Sequence, residues 1–380
     1  MSVFVTGGNL GSTTNIIRSL GKHGICCYTG DYKQYASGFY SKYCSGSLIY
    51  PHPSNEEKYI RSLIAAKKKF NYDLIFGTGD LTFKPIVKYK ELLNRNNILV
   101  PSPDPDIFFK FCDKFTTYEI AKKNNVPIPY SIEVNDELEL LKSIKDIGLP
   151  LVIKPKNLSG GRGIIYATNK NIAIINGTKL MKLLKSSVIV QEYIPGFKNV
   201  YSVPMIYDSN NKFVTGAVLR KIRELPITGG SATFAEISNK DELLRLSKKL
   251  FLHNKWFGIV DPEFKIDPRT NKAVLMEVNP RFFGYSNLLI SSGLNLPYIL
   301  YKICMGEEYS INNIVYDLKF SRIIQDIYSI ISEYIHYPDK YNNLVYNIMT
   351  YKNHLSYDYF NKSDIMPFFF SIINTIFKNI

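Results

Sequence analysis

The chain has 380 residues, 45% of them hydrophobic and 21% charged, which excludes a disordered polypeptide and leaves room for two or three domains with their own cores. Its five cysteines are scattered without paired spacing, which excludes a disulfide framework or a zinc site, and no signal-type segment opens the chain, so a cytoplasmic location is expected. The net charge of +14 comes from lysines dispersed in pairs and triplets such as Lys67-Lys68-Lys69 rather than from one long run, so no nucleic-acid partner is expected.

Short β-prone runs at 3–6, 25–29, 47–50 and 73–77, with Ile16, Ile17 and Leu20 at helical spacing between the first two, predict an open α/β domain with a mainly parallel sheet. Gly8 lies where the first strand turns into the first helix, and either meets a ligand at the helix N-terminus or serves a tight turn. The apolar run Leu74-Ile75-Phe76 ends in Gly77-Thr78-Gly79-Asp80, at the edge where open α/β sheets bind ligands, and Asp80 reads as a helix N-cap. Pro101, Pro103 and Pro105 mark a boundary, after which Asp113 caps a helix whose Phe115, Tyr118 and Ala121 face the core.

Lys154 ends the next apolar strand and is followed by Ser159-Gly160-Gly161-Arg162-Gly163. Such a hairpin tip can fold over a triphosphate and donate backbone N–H groups to it, while the lysine supplies a point charge. Ser187 to Glu192 is an apolar strand that turns polar at its end. Phe213 to Glu224 reads as one strand in which alternation sets Lys221 and Arg223 on one face and Arg220 on the other. At least one of these three is expected to bind a substrate carboxylate or a phosphoryl group, with Gly229-Gly230 in a mobile lid.

The segments Val260 to Lys265 and Leu275 to Arg281 are the most informative in the chain. As adjacent strands they bring Glu263, Glu277 and Asn279 together over an apolar floor, an all-oxygen set suited to Mg²⁺ when a nucleotide supplies further ligands. Arg281 places a guanidinium beside that set, where a transferring phosphoryl group needs neutralising. Pro262 inside the first of these strands implies an edge or a bulge. Gly284 to Met305 reads as one helix behind them, and residues 306–380, rich in Tyr and Ile, as helical. The last segment, 364–380, leaves a wide apolar face that packs on the body or on a dimer partner, with membrane contact as the alternative.

The order of Lys154, the glycine loop, Glu263 and Glu277-Val278-Asn279-Pro280-Arg281 resembles the ATP-grasp superfamily, and within it the carboxylate–amine ligases with a carbamoyl-phosphate-synthase-like ATP-grasp domain. The resemblance implies a Rossmann-like pre-ATP-grasp α/β domain at 1–105, a two-lobed ATP-grasp domain at 106–305 (small lobe 113–192, large lobe 193–305) and a helical C-terminal extension at 306–380. It implies ATP with Mg²⁺ or Mn²⁺, and Lys114 on the phosphates with Lys154, Ser159, Gly160, Gly161 and Gly163. Gln191, Glu192, Tyr193 and Ile194 become the hinge around adenine, the Glu192 carboxylate accepting from the exocyclic amine. Arg281, Lys154, Arg220 and Arg223 become the catalytic cations, and Gly8, Asp80, Arg220, Arg223 and Arg281 the substrate contacts. The implied activity joins a small-molecule carboxylate to an amine through an acyl phosphate, and homodimers are common among relatives. A non-catalytic nucleotide-binding regulatory protein and a membrane-associated assembly factor are the alternatives from other classes.

Overall fold

The computed structural model describes residues 1–196, 199–227, 229–336 and 355–376. The N-terminal sheet is parallel, in the order β3-β2-β1-β4, from β1 (Ser2–Thr6), β2 (Cys26–Asp31), β3 (Cys44–Ile49) and β4 (Leu74–Phe76). Val3, Phe4 and Val5 are fully buried in succession, as expected of a central parallel strand covered on both faces. The helices α1 (Gly11–Lys22), α2 (Glu56–Phe70), α3 (Asp80–Lys88) and α4 (Lys90–Arg95) surround it. Asn55 caps α2 through Lys58 N–H, and Asn71 ends it in the left-handed conformation that asparagine tolerates.

After α5 (Pro105–Cys112) comes α6 (Lys114–Lys123), whose N-cap Asp113 accepts from Thr116 N–H at 2.9 Å. A second, four-stranded sheet then runs β5-β8-β6-β7, from β5 (Ser131–Val134), β6 (Leu151–Pro155), β7 (Ile165–Ala167) and β8 (Val188–Glu192), backed by α7 (Glu137–Ile147) and α8 (Lys170–Leu184). Its core is its own, centred on Val134, Leu140, Ile153, Val188 and Val190.

The third sheet holds nine strands among the described residues, in the order β11-β10-β14-β9-β12-β13-β16-β17 with β15 on β14. They are β9 (Val200–Ser202), β10 (Met205–Tyr207), β11 (Phe213–Gly216), β12 (Val218–Leu225), β13 (Ser231–Ser238), β14 (Gly258–Asp267), β15 (Lys272–Asn279), β16 (Lys319–Ser321) and β17 (Leu355–Tyr357). The helices α9 (Asp241–Phe251), α10 (Asn287–Ser291), α11 (Leu296–Cys304), α12 (Ile323–His336) and α13 (Met366–Ile376) follow among the described residues. One continuous core joins this sheet to the N-terminal one, with Phe4 and Tyr59 in the same cluster as Trp256 and Phe264. The small sheet is thus the separately packed unit, a property that matters for the loop it carries.

Several expected elements are divided differently. The run Phe213–Glu224 is two strands, because β11 pairs with β10 whereas β12 pairs with β9 and β13. The helix expected over Gly284–Met305 is broken at Ser292-Gly293, where Gly293 has φ +102°. Pro262 sits in the middle of a central strand and not at an edge, since β14 pairs with β10 over Gly258–Val260 and with β9 over Glu263–Lys265 and the proline falls between the two partners, while the expected bulge lies beside it, between Glu263 and Phe264 against β15. The C-terminal part contains α12 and α13 but also extends the large sheet with β16 and β17. α13 packs on the N-terminal domain, where Asn374 donates to Tyr35 O and the preceding Asp364 pairs with buried Arg18 at 2.8 Å. Residues 377–380 of the segment weighed for membrane contact, and 337–354 of the extension, lie outside the described residues. Among the described residues no helix is long and apolar enough to cross a membrane.

Candidate active site

A cavity of about 480 Å³ opens between the small sheet and the large one. Its floor is the β14–β15 ladder, in which Glu263 lies directly opposite Glu277 and Asp261 opposite Asn279. Like charges in direct register repel, and each carboxylate has taken a lysine: Lys221 Nζ lies 2.6 Å from Glu263 and Lys114 Nζ 3.2 Å from Glu277. Burial pushes the Glu263 carboxyl up despite Lys221, with Glu277 adding to the rise. At Glu277 burial acts upward too, but Lys114, then Lys221 and Lys154, override it and hold the carboxyl below its ordinary value. Asn279 donates to Glu263 at 3.1 Å and its oxygen accepts from Arg281 Nη2 at 3.1 Å.

Among the described residues no group of three or more His, Cys, Asp or Glu side chains is gathered as a metal cluster. Two opposed carboxylates and an amide nevertheless form a hard, all-oxygen donor set that fits Mg²⁺ bound jointly with phosphates and water. The third nearby carboxylate, Asp261, accepts a short hydrogen bond from the Ser202 hydroxyl, and burial followed by the Glu263 charge raises it to about 8.

Lys154 ends β6 inside the cavity, its Nζ 2.6 Å from the Tyr118 hydroxyl and 2.9 Å from Gln191 Oε1. With no carboxylate in direct contact, burial, then the Lys114 charge, lowers it to about 7. Gln191 is itself buried and spends its amide on Ser131, so it orients Lys154 and does not line the cavity. The glycine loop lies over the opening: Gly160, Gly161 and Gly163 all have positive φ, and a Cβ on Gly161 would stand 2.6 Å from Gly229 O on the facing loop. Lys114 also donates to Leu158 O, beside Ser159.

At the hinge Tyr193 lines the cavity, while the Ile194 carbonyl accepts from Lys265 Nζ at 2.6 Å. The Glu192 side chain, expected to accept from adenine, does not line the cavity. Its Oε1 accepts from Tyr130 N–H at 2.9 Å and its Oε2 pairs with Arg269 at 3.2 Å, so it ties the end of β8 to the segment before β5 and to the β14–β15 turn.

Arg281 is held from two parts of the chain: Nε donates to Asp80 Oδ1 at 2.5 Å, and Nη1 to Phe282 O at 3.1 Å. Asp80 is therefore not the cap of α3, a position Gly79 occupies, but the contact of the N-terminal sheet region with Arg281. Burial would raise Asp80, yet Arg281 and the Ser159 hydroxyl depress it far below the usual carboxylate range. Gly8 is the tight turn of its two readings, its N–H and carbonyl each bonded to backbone at 2.8 Å, with Phe39 against it and Tyr359 on neighbouring Asn9 O.

Arg223, expected in the site, does not line the cavity. A bulge between Lys221 and Arg223 shifts the β12–β13 register, so Lys221 enters the cavity and Arg223 turns to the opposite side. There it makes two hydrogen bonds to Asp326 of α12, at 2.8 and 2.6 Å, with both side chains 0% exposed. Arg220 pairs across the strands with Glu236 at 3.4 Å and stays outside the cavity. The same bulge brings in Glu224, which burial raises to about 7 even with Lys221 close by, and which the regular alternation of a strand would not have placed there. Tyr118, expected only as a core residue, could not be linked to Lys154 from spacing, since they are on different elements.

Residues 113–312 match the family described as carbamoyl-phosphate synthase L chain, ATP binding domain. The chain is 24% identical over 311 residues to a D-aspartate ligase of Enterococcus faecium, covering 76% of this chain and 73% of the relative. It is 28% identical over 192 residues to the carbamoyl phosphate synthase large chain of Pseudarthrobacter chlorophenolicus, covering 47% of this chain but only 17% of that much longer protein. Among solved structures, the biotin carboxylase–β-γ-ATP complex of Campylobacter jejuni superposes with a TM-score of 0.70 at 18% identity, covering 84% of this chain and 74% of that one. An N5-carboxyaminoimidazole synthetase of Staphylococcus aureus does so at 0.63 and 16%, covering 81% and 78%. These likenesses show a shared fold. With the family match spanning more than half of its length, the chain belongs to the carbamoyl-phosphate synthase large-chain ATP-binding family, ATP-grasp enzymes of the carboxylate–amine ligase type that work with ATP and Mg²⁺.

Proposed function

We propose that this chain couples a small carboxylic acid to an amine. A carboxylate oxygen of the acid attacks the γ-phosphorus of ATP, ADP leaves, and the amine nitrogen then displaces phosphate from the acyl carbon with loss of a proton. The observation that carries this reading is the convergence of the opposed Glu263 and Glu277 with Lys114, Lys154, Lys221 and Arg281 in one cavity. Such a reaction needs placement and charge neutralisation rather than a nucleophilic side chain.

In this reading Lys114 and Lys154 hold the nucleotide phosphates, with the backbone of Gly160 and Gly161 beside them, whereas Ser159 and Gly163 shape the loop without lining the cavity. Glu263, Glu277 and Asn279 hold Mg²⁺, which when bound neutralises phosphate charge. Once Glu263 is so engaged, Lys221 becomes available to the acid or the phosphoryl group, together with Arg281. The divisions 1–105, 106–305 and 306–380 belong to the same proposal, and within them the separate core of the small sheet supports the lobe at 113–192.

The relative named D-aspartate ligase makes D-aspartate the first acid to try. The test is ADP release from Mg²⁺-ATP against amino acids and other carboxylates, each with and without hydroxylamine as the amine, for the wild type and Glu277→Gln. Acid-dependent ADP and hydroxamate that disappear in the variant are expected. Acid-dependent ADP without any hydroxamate would exclude an acyl phosphate, and ADP release that survives in the variant would remove the site from the reaction.

A further inference from the structure

The glycine loop is held from outside its own lobe. Three consecutive carbonyls at its start are each taken by a cation: Asn157 O by Lys84 Nζ at 3.2 Å, Leu158 O by Lys114 Nζ, and Ser159 O by Arg162 Nε at 3.1 Å. Arg162 belongs to the loop and Lys114 to the cavity, whereas Lys84 comes from α3 in the N-terminal domain. Lys84 follows Asp80 by four residues, so both stand on one face of that helix. Asp80 holds Arg281 while Lys84 reaches Asn157 O, so this single face touches both the arginine of the site and the loop above it. The loop itself has little to pack with: three of its residues are glycines with positive φ, and nothing lies within 4 Å of a Cβ built on Gly160. Its lobe has a core separate from the one shared by the other two sheets. A segment with so few apolar contacts opens readily unless polar contacts hold it.

We propose that Lys84 is a positioning residue for the nucleotide, latching the glycine loop shut through the Asn157 carbonyl and so slowing nucleotide release. This rests on the reading that the loop covers the phosphates, and it assigns a role to a residue that precedes the family-matched region 113–312. The contact is one exposed ammonium-to-carbonyl hydrogen bond, strong enough to bias the loop and weak enough to let it open.

The test is stopped-flow release of fluorescent mant-ADP with Mg²⁺ from the full chain, together with amide hydrogen exchange of residues 157–163 without ligand. Lys84→Met is expected to raise both rates roughly two- to tenfold, the range for loss of one such hydrogen bond. Lys88→Met, on the same helix but paired with Glu56, is the control and should change neither, and Lys84→Arg should restore both. Unchanged release from Lys84→Met, or faster loop exchange without faster release, overturns the latch alone. Failure of the wild type to bind mant-ADP would sink the nucleotide reading and this role with it.

Discussion

Removing the carboxylate of Asp326 should destabilise the fold by about 3–5 kcal/mol, because it strands a charged guanidinium in the interior. Asp326 accepts two hydrogen bonds from Arg223 and a third from Thr233 at 2.8 Å, and both members of the pair are 0% exposed. Arg223 also lies over the Phe234 ring at 4.2 Å, so water cannot replace the lost carboxylate without opening the packing of α12 on β12 and β13. The single tryptophan, Trp256, is 1% exposed in the large core and reports unfolding by its fluorescence. In urea titrations Asp326→Ala should fall by the amount above, and Arg223→Met with Asp326→Leu should recover most of the loss, since an apolar replacement of both partners leaves no buried charge. Arg220→Ala, in the partly exposed pair with Glu236, should cost less than about 1 kcal/mol. If Asp326→Ala cost no more than Arg220→Ala, Arg223 would not be locked below the sheet, and its exclusion from the cavity would be refuted.

Nucleotide affinity should depend on pH through Lys154, which is held at about 7 in the free site and so loses its charge as pH rises through that value. Phosphate binding restores the proton, so the Kd of Mg²⁺-mant-ADP should weaken by up to about tenfold per pH unit above neutrality, and Lys154→Arg, which keeps its charge, should lessen the slope and leave the part due to Glu224 and Asp261, raised by burial to about 7 and about 8 in the same cavity. Gly161→Ala and Gly160→Ala both place an alanine at positive φ, but only the former meets Gly229 O. Equilibrium binding should show a larger loss of affinity in Gly161→Ala, by roughly tenfold, if closure against that loop matters. Glu192→Gln should change mant-ATP affinity less than about twofold, as the net value of an exposed ion pair allows, because the carboxylate faces Tyr130 and Arg269 instead of the cavity; a loss of tenfold or more would return it to adenine recognition.

Local pattern was enough for much of this protein. Period-two alternation in Val260–Lys265 and Leu275–Arg281 places Glu263, Glu277 and Asn279 on one face whatever surrounds them, and the ladder puts them in register. The glycines at 160, 161 and 163 announce positive φ, and the parallel N-terminal sheet follows from strands alternating with a helical spacing. What escaped the sequence depends on partners far away in the chain. The bulge in β12 that turns Arg223 toward Asp326 and admits Glu224 depends on pairing with β13 and packing under α12, neither of which residues 218–225 encode alone. Arg281 and Asp80 are 201 residues apart and meet because the N-terminal and large sheets share one core. The turn from β14 to β15 sets Arg269 beside Glu192, and so takes that carboxylate from the cavity. Alternation and turn chemistry act over a few residues and can be read directly, whereas the direction of a charged side chain at a strand end or bulge is decided by whichever opposite charge the tertiary packing brings within reach.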